Sequence, residues 1–256
     1  MILFLKKLFN TKSFKYLRNT FQYRVIPIDF SNLSYSTSIS DGFIWRTDND
    51  FKTIFRYSDL LKFFYEKDDS AVEMKFYDQN YNLIKEMYVD KLDFNNELII
   101  DKKFMNGKDG YGIFYIFHKY KGKLDNNIIL SNRCYLGFSK SQNHASFVHG
   151  NSHLISKSFL GDLYDTNFVS KSRFSNSIYK IQNNFEEFDE SELFFCNPND
   201  SELIFYVNDK QYKLEGFNSK IVEIKNKKMV KIKSNCNFLR PIVFNYKNNF
   251  FDVYHS

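Results

Sequence analysis

"YGIFYIFHKY", residues 111–120, decides the fold. From Gly112 to Phe117 apolar residues occupy both parities of an extended chain, so a strand here belongs at the centre of a sheet, covered on each face. Similar short apolar runs lie around it: "GFIWRT" (42–47), "FKTIFRY" (51–57), "AVEMKFYD" (71–78), "LIKEMYV" (83–89), "NELIID" (96–101), "CYLGFSK" (134–140) and "ASFVHG" (145–150). Polar turns such as "YDQNYN", "MNGKDG" and "LDNN" divide them. That pattern predicts an all-β sandwich or barrel.

Beyond the Ser-rich stretch 156–176 the pattern resumes with "SIYKIQ", "SELFFCNP", "SELIFYVND", "QYKLEGF", "SKIVEIKN", "KMVKIK" and "LRPIVFNYK". The two series predict two tandem antiparallel β-sandwich domains, Ig-like or jelly-roll-like, over 39–165 and 166–256. A basic N-terminal segment, 1–38, with a short helix precedes them. The second series reads as a shorter copy of the first. "DSAVEMKFYDQNYNLIKEM" (69–87) and "DSELIFYVNDKQYKLEGF" (200–217) share a strand, a polar turn and a strand; "NELIID" then matches "SKIVEI", and "GYGIFYIF" matches "RPIVFNY".

The composition agrees with strands. Aromatic residues make up 19% of the 256 residues, carried by 30 Phe and 18 Tyr, and such side chains suit a pleated, half-buried surface. Alanine occurs only at positions 71 and 145, and Asn and Lys are abundant throughout, so neither abundance marks a special tract. A net charge of +6 spread along the chain serves solubility, and no specific nucleic-acid partner is expected. Cys134, Cys196 and Cys236 are an odd, widely spaced set, which predicts no disulfide framework and a reducing, cytoplasmic location. No helix–strand alternation or glycine-rich phosphate loop occurs, which argues against doubly wound enzymes; no cofactor is expected.

Residues 1–24 carry six basic residues and no acidic one, with apolar positions at helical spacing. They suit a capping helix, a cleaved targeting segment or peripheral contact with an anionic membrane surface. The apolar run Met1–Leu5 is too short to span a bilayer.

His144, His149 and His153 invite a metal reading. Gly150-Asn151 predicts a two-residue hairpin, in which alternation puts His149 on one face and His144 and His153 on the other. Rings so separated cannot meet at one ion, so no metal and no catalytic residue are assigned. "DGYGIFYIF" begins like an RNA-recognition strand, but Asp109 stands where a basic residue belongs and Ile113 and Ile116 replace stacking rings. "RTDNDFK" reads as an Asp-Asn-Asp turn. The carboxylates from Glu186 to Glu192 read as a solvated connection, and the lysines of "KNKKMVKIK" as protection of an edge strand.

Trp45 is the one tryptophan, and Arg46, Arg133 and Arg240 stand out from a lysine background. Arginine forks bind carboxylate or phosphate bidentately. Buried pairing of these arginines with aspartates is one reading. The other is a ligand groove formed by Trp45, Arg46, Arg133 and Tyr135 with His149, Asn151 and His153. The leading function is a non-enzymatic tandem β-sandwich that recognises a glycan or glycoconjugate, or a protein partner, in cell-surface polysaccharide metabolism. A hydrolase or lyase using His149 or His153, and a structural protein that assembles through sheet edges, are the alternatives.

Overall fold

A computed structural model describes residues 36–256 apart from 123–127, 133, 141–143, 160–163, 166–168, 170, 173–175, 182–183, 226 and 237–238, together with four positions, 11, 13, 14 and 17, of the N-terminal segment. The side chains of 152–154 and 164–165 also lie outside the description. The readings of residues 1–24 as an amphipathic helix and of 1–38 as a separate segment therefore fall largely outside the described residues, although Thr37 and Ser38 belong to the first strand.

The chain is nearly all β, as the alternation predicts. In the first half the strands are β1 (Thr37–Arg46), β2 (Phe51–Tyr57), β3 (Ala71–Asp78), β4 (Leu83–Asp90), β5 (Asn96–Ile100), β6 (Tyr111–Lys119), β7 (Ile129–Asn132), β8 (Tyr135–Lys140), β9 (Ser146–His149), β10 (Asn151–Ser158) and β11 (Tyr164–Asp165). In the second half they are β12 (Ser177–Ile181), β13 (Glu190–Cys196), β14 (Leu203–Val207), β15 (Lys210–Leu214), β16 (Ser219–Ile224), β17 (Val230–Ser234), β18 (Ile242–Lys247) and β19 (Phe250–His255). A short helix, α1 (Leu60–Tyr65), starts where the Asp59 side chain accepts from the Lys62 N–H. Among the described residues no helix is long and apolar enough to cross a membrane.

The described strands form four sheets. The largest runs β11-β10-β1-β6-β3-β4, with β7 pairing parallel to β1; the others run β5-β2-β8-β9, β12-β17-β14-β15 and β16-β13-β18-β19. The two halves repeat one topology. The pairings β1–β6–β3–β4 and β5–β2–β8–β9 recur, in the same chain order, as β12–β17–β14–β15 and β16–β13–β18–β19. This corrects one expected match. "GYGIFYIF" corresponds by pairing to β17, and "RPIVFNY" corresponds to β8.

The core of the first half takes in Phe194, Cys196, Ile242, Phe244 and Val253 of the second, so the four sheets are not two insulated sandwiches. β6 explains why. Its residues from Gly112 to His118 are all buried, with Phe114 packing on Phe43, Phe55 and Phe76 and Tyr111, on the opposite face, meeting Phe194 of β13 edge-on. Strand β13 alternates in turn. Phe194 and Cys196 join the core of the first half, while Leu193 and Phe195 join the core of the second.

Two local expectations are corrected. Gly150 is not a hairpin corner, because β9 pairs with β8 and β10 pairs with β1. The chain instead crosses from one sheet to another at Gly150, where a Cβ would lie 2.6 Å from the Phe43 ring, so only glycine fits the crossing. Strand β17 is not an edge, since β12 and β14 flank it. Its lysines are exposed on one face while Val230 and Ile232 are buried on the other.

Candidate functional site

The sheet β5-β2-β8-β9 turns Phe51, Phe55, Leu136 and Phe138 into the core. Alternation then commits Ile54, Arg56, Ile99, Tyr135, Gly137, Phe147 and His149 to its outer face. Register aligns them in two rows. Glu97, Arg56, Tyr135 and His149 form one row across the four strands; Ile99, Ile54, Gly137 and Phe147 form the next.

These side chains touch. The rings of Tyr135 and His149 lie 4.9 Å apart, and the Arg56 guanidinium sits 5.0 Å over the Phe147 ring while donating to Glu97 at 2.8 Å. Phe147 lies across Gly137, where a Cβ would stand 2.6 Å from the ring. Tyr135 is 54% exposed and Phe147 41%, so the rings form an open platform rather than a core fragment. Such a face can stack on an apolar ring face while Arg56, Glu97 and His149 supply polar contacts at its edges. Arg56 and Phe147 escaped the sequence reading; the signal was Gly137 inside an otherwise regular strand, a mark of close approach.

The other expected site residues lie elsewhere. Trp45 is fully buried, with its indole N–H donating to the Tyr77 carbonyl at 2.8 Å. Arg46 is also fully buried. Its guanidinium lies between the Phe51 and Phe244 rings, 4.5 and 4.7 Å from their centroids, and meets Asp48 through two hydrogen bonds and Glu192 through a third. Burial opposes its charge, but the bond to Asp48, then Tyr246 and Glu192, overcome that and raise its pKa. Glu192 thus departs from the solvated run expected around it.

Asn151 is buried and donates to the Arg240 carbonyl at 3.1 Å. His153 lies on β10 with its side chain outside the description, and Arg133 lies outside the described residues. Tyr135 and His149 are therefore brought together, while Trp45, Arg46 and Asn151 are held inside the protein. His144 is exposed ahead of β9, and among the described residues no group of three or more His, Cys, Asp or Glu converges as metal ligands would. The three cysteines are free and buried, and burial pushes the thiols of Cys134 and Cys196 up.

What the fold and platform define is an all-β protein with an exposed aromatic sheet face. No protein-family model matches the chain, and no curated protein matches it. Among solved structures, a cupin 2 conserved barrel domain protein from Leptotrichia buccalis is similar at 7% identity over 76% of this chain and 77% of that one, with a TM-score of 0.17. An overlap at that score carries no argument about fold or activity.

Proposed function

We propose that this protein is a non-enzymatic binding module, two tandem sandwiches of one repeated unit, that recognises a glycan or glycoconjugate of cell-surface polysaccharide metabolism through the outer face of β5-β2-β8-β9. The single observation that carries the reading is the contiguous, exposed set Tyr135, His149, Phe147 and Arg56 over Gly137. A sugar ring has C–H groups that suit the aromatic faces and hydroxyls that suit Arg56, Glu97 and His149.

A comparison between the halves supports a ligand over sheet-to-sheet assembly. By topology, the counterpart of this platform is the face of β13 and β18 bearing Phe194, Ile242 and Phe244, which is buried against the first half. The platform is the same kind of face left open. The surface that would receive it in a second copy is the outer side of β12-β17-β14, where Lys180, Lys231 and Lys233 stand exposed among Ile178 and Ile204. Lysines on a sheet face oppose apolar docking.

A glycan array with wild type and Tyr135→Ala tests the proposal. Signal on at least one glycan class, lost in the variant, is expected. A blank array, or a signal that the variant retains, overturns it.

A further inference from the structure

Strand β17 carries lysines that no sheet edge requires. It lies between β12 and β14, so Lys231 and Lys233 do not guard an open strand, and edge protection does not account for them.

Register sets their neighbours. Lys231 stands directly across from Lys180 of β12, and Lys233 stands between Ile178 of β12 and Tyr206 of β14. On β15, Gln211 continues the row from Tyr206, and Lys213 faces Ile204. Alternation places these side chains on the outer face of the sheet, away from Leu203, Phe205, Val230 and Ile232 in the core.

The charges on this face are uneven. Lys213 is balanced by Glu202 and Glu215, and Asp209 lies in the β14–β15 turn. Among the described residues no carboxylate pairs with Lys180, Lys231 or Lys233, and Lys227 and Lys228 stand exposed just ahead of β17. Like charges directly across neighbouring strands destabilise a sheet, so Lys180 and Lys231 repel each other until an outside anion lies over them. Ile178 is 56% exposed and Ile204 44%, and they sit among these cations. Exposed isoleucines gain nothing from a soluble anion, but they gain from the boundary between headgroups and acyl chains of a membrane.

We propose that the outer face of β12-β17-β14-β15 docks on an anionic lipid bilayer. Lys180, Lys231 and Lys233 meet the phosphate headgroups, and Ile178 and Ile204 press into the boundary beneath them. Lysine suits the task, because its stem lies along apolar neighbours while its ammonium reaches out as a point charge to mobile headgroups. A nucleic-acid strand would instead be held by stacked rings and arginine forks. Tyr206 is the one ring in these rows, it lies under Lys233 at 5.4 Å and donates to Gln211 at 3.0 Å, and the rows contain no arginine. The inference does not rest on the aromatic platform, which belongs to a different sheet.

Co-sedimentation of the full chain with phosphatidylcholine vesicles, with and without phosphatidylserine, tests it. Expected is binding to the anionic vesicles alone, weakened by high salt because exposed charges are screened. Each lysine near such a surface is worth about fivefold, so Lys231→Gln combined with Lys233→Gln should weaken binding by roughly tenfold or more. Ile178→Ser combined with Ile204→Ser should weaken it roughly threefold to tenfold and leave the salt dependence unchanged. Tyr135→Ala should bind as wild type. Thermal unfolding of each variant verifies the fold, and if the double lysine variant proves unstable, Lys180→Gln on the edge strand β12 should weaken binding about fivefold. Absence of vesicle binding, equal binding to neutral vesicles, or loss in Tyr135→Ala would overturn the assignment. So would undiminished binding by the lysine variants, which would move the contact to the basic segment 1–24, or binding of oligouridylate as tight as that of anionic vesicles.

Discussion

Arg46 donates to the carboxylate of Glu192 at 2.5 Å across 146 positions of the chain, joining β1 of the first half to β13 of the second. The Tyr246 hydroxyl donates to the same Glu192 oxygen at 2.6 Å. A buried guanidinium stacked between two phenylalanines and bonded to two carboxylates is a structural clamp. Removing it strands the charges of Asp48 and Glu192.

Arg46→Ala should therefore destabilise the protein by about 3–5 kcal/mol in urea unfolding, the range for breaking a buried ion pair. Arg46→Lys should recover only part of this, because an ammonium offers neither the bidentate fork to Asp48 nor the flat faces that meet Phe51 and Phe244. A loss below about 1 kcal/mol for the alanine variant would place the clamp among pairs of little net worth.

His118 gives stability a pH dependence. It is buried, its Nε2 accepts from the Leu60 N–H at 3.2 Å, and burial lowers its pKa to about 4 despite opposing contributions from Asp59, Asn132 and Ser58. The folded pKa lies below the unfolded value of 6.5, so the contribution is present above pH 6.5 and is lost as pH falls towards 4. The total is about 3 kcal/mol by linkage. Unfolding of wild type and His118→Gln between about pH 6.5 and pH 5, above most carboxylate titration, should give a steeper decline for wild type; parallel declines would refute it.

Trp45 and Gly112 depend on each other. They are cross-strand partners, and the indole passes to the Tyr77 carbonyl on the next strand. A Cβ on Gly112 would lie 2.1 Å from that carbonyl oxygen, so Gly112→Ala must push β3 and β6 apart. Thermal unfolding should register about 1–3 kcal/mol of destabilisation for it, as for other overpacked sites. Trp45→Phe should cost about 1–3 kcal/mol through the abandoned carbonyl. If both variants melted with wild type, the indole bond would carry no weight.

The platform predicts the opposite pattern. Tyr135→Ala should change stability by less than about 0.5 kcal/mol, because the side chain is exposed, yet weaken a bound glycan roughly tenfold. Gly137→Val would lift the Phe147 ring from its seat and lower glycan affinity with little effect on unfolding. Chemical denaturation together with titration of the best array glycan separates the two effects; a large stability loss with unchanged affinity would make the face structural.

Legibility in the sequence differed between fold and site. The runs around "GIFYIF" announced their strands, and the placement of β6 at the centre of a sheet followed from apolar residues on both parities. The platform was half visible. Tyr135 and His149 were recognisable as polar aromatic side chains, but their contact needs β8 and β9 to pair in one register. Reading Gly150-Asn151 as a hairpin assigned β9 to β10 instead. The glycine was a true signal with two meanings, a turn or a crossing between sheets, and only Phe43 packed against it selects the second.

The sequence by itself determined that this chain is β, where most strands run, and which residues alternate, because side-chain direction along an extended backbone is a local property. Tertiary structure alone decided which faces meet. It buried Trp45 and Arg46, gave Arg46 the distant Glu192, set β17 between two neighbours, and left one aromatic face open. Those outcomes depend on contacts between residues far apart in the chain, and local alternation is the same whichever partner a face finds.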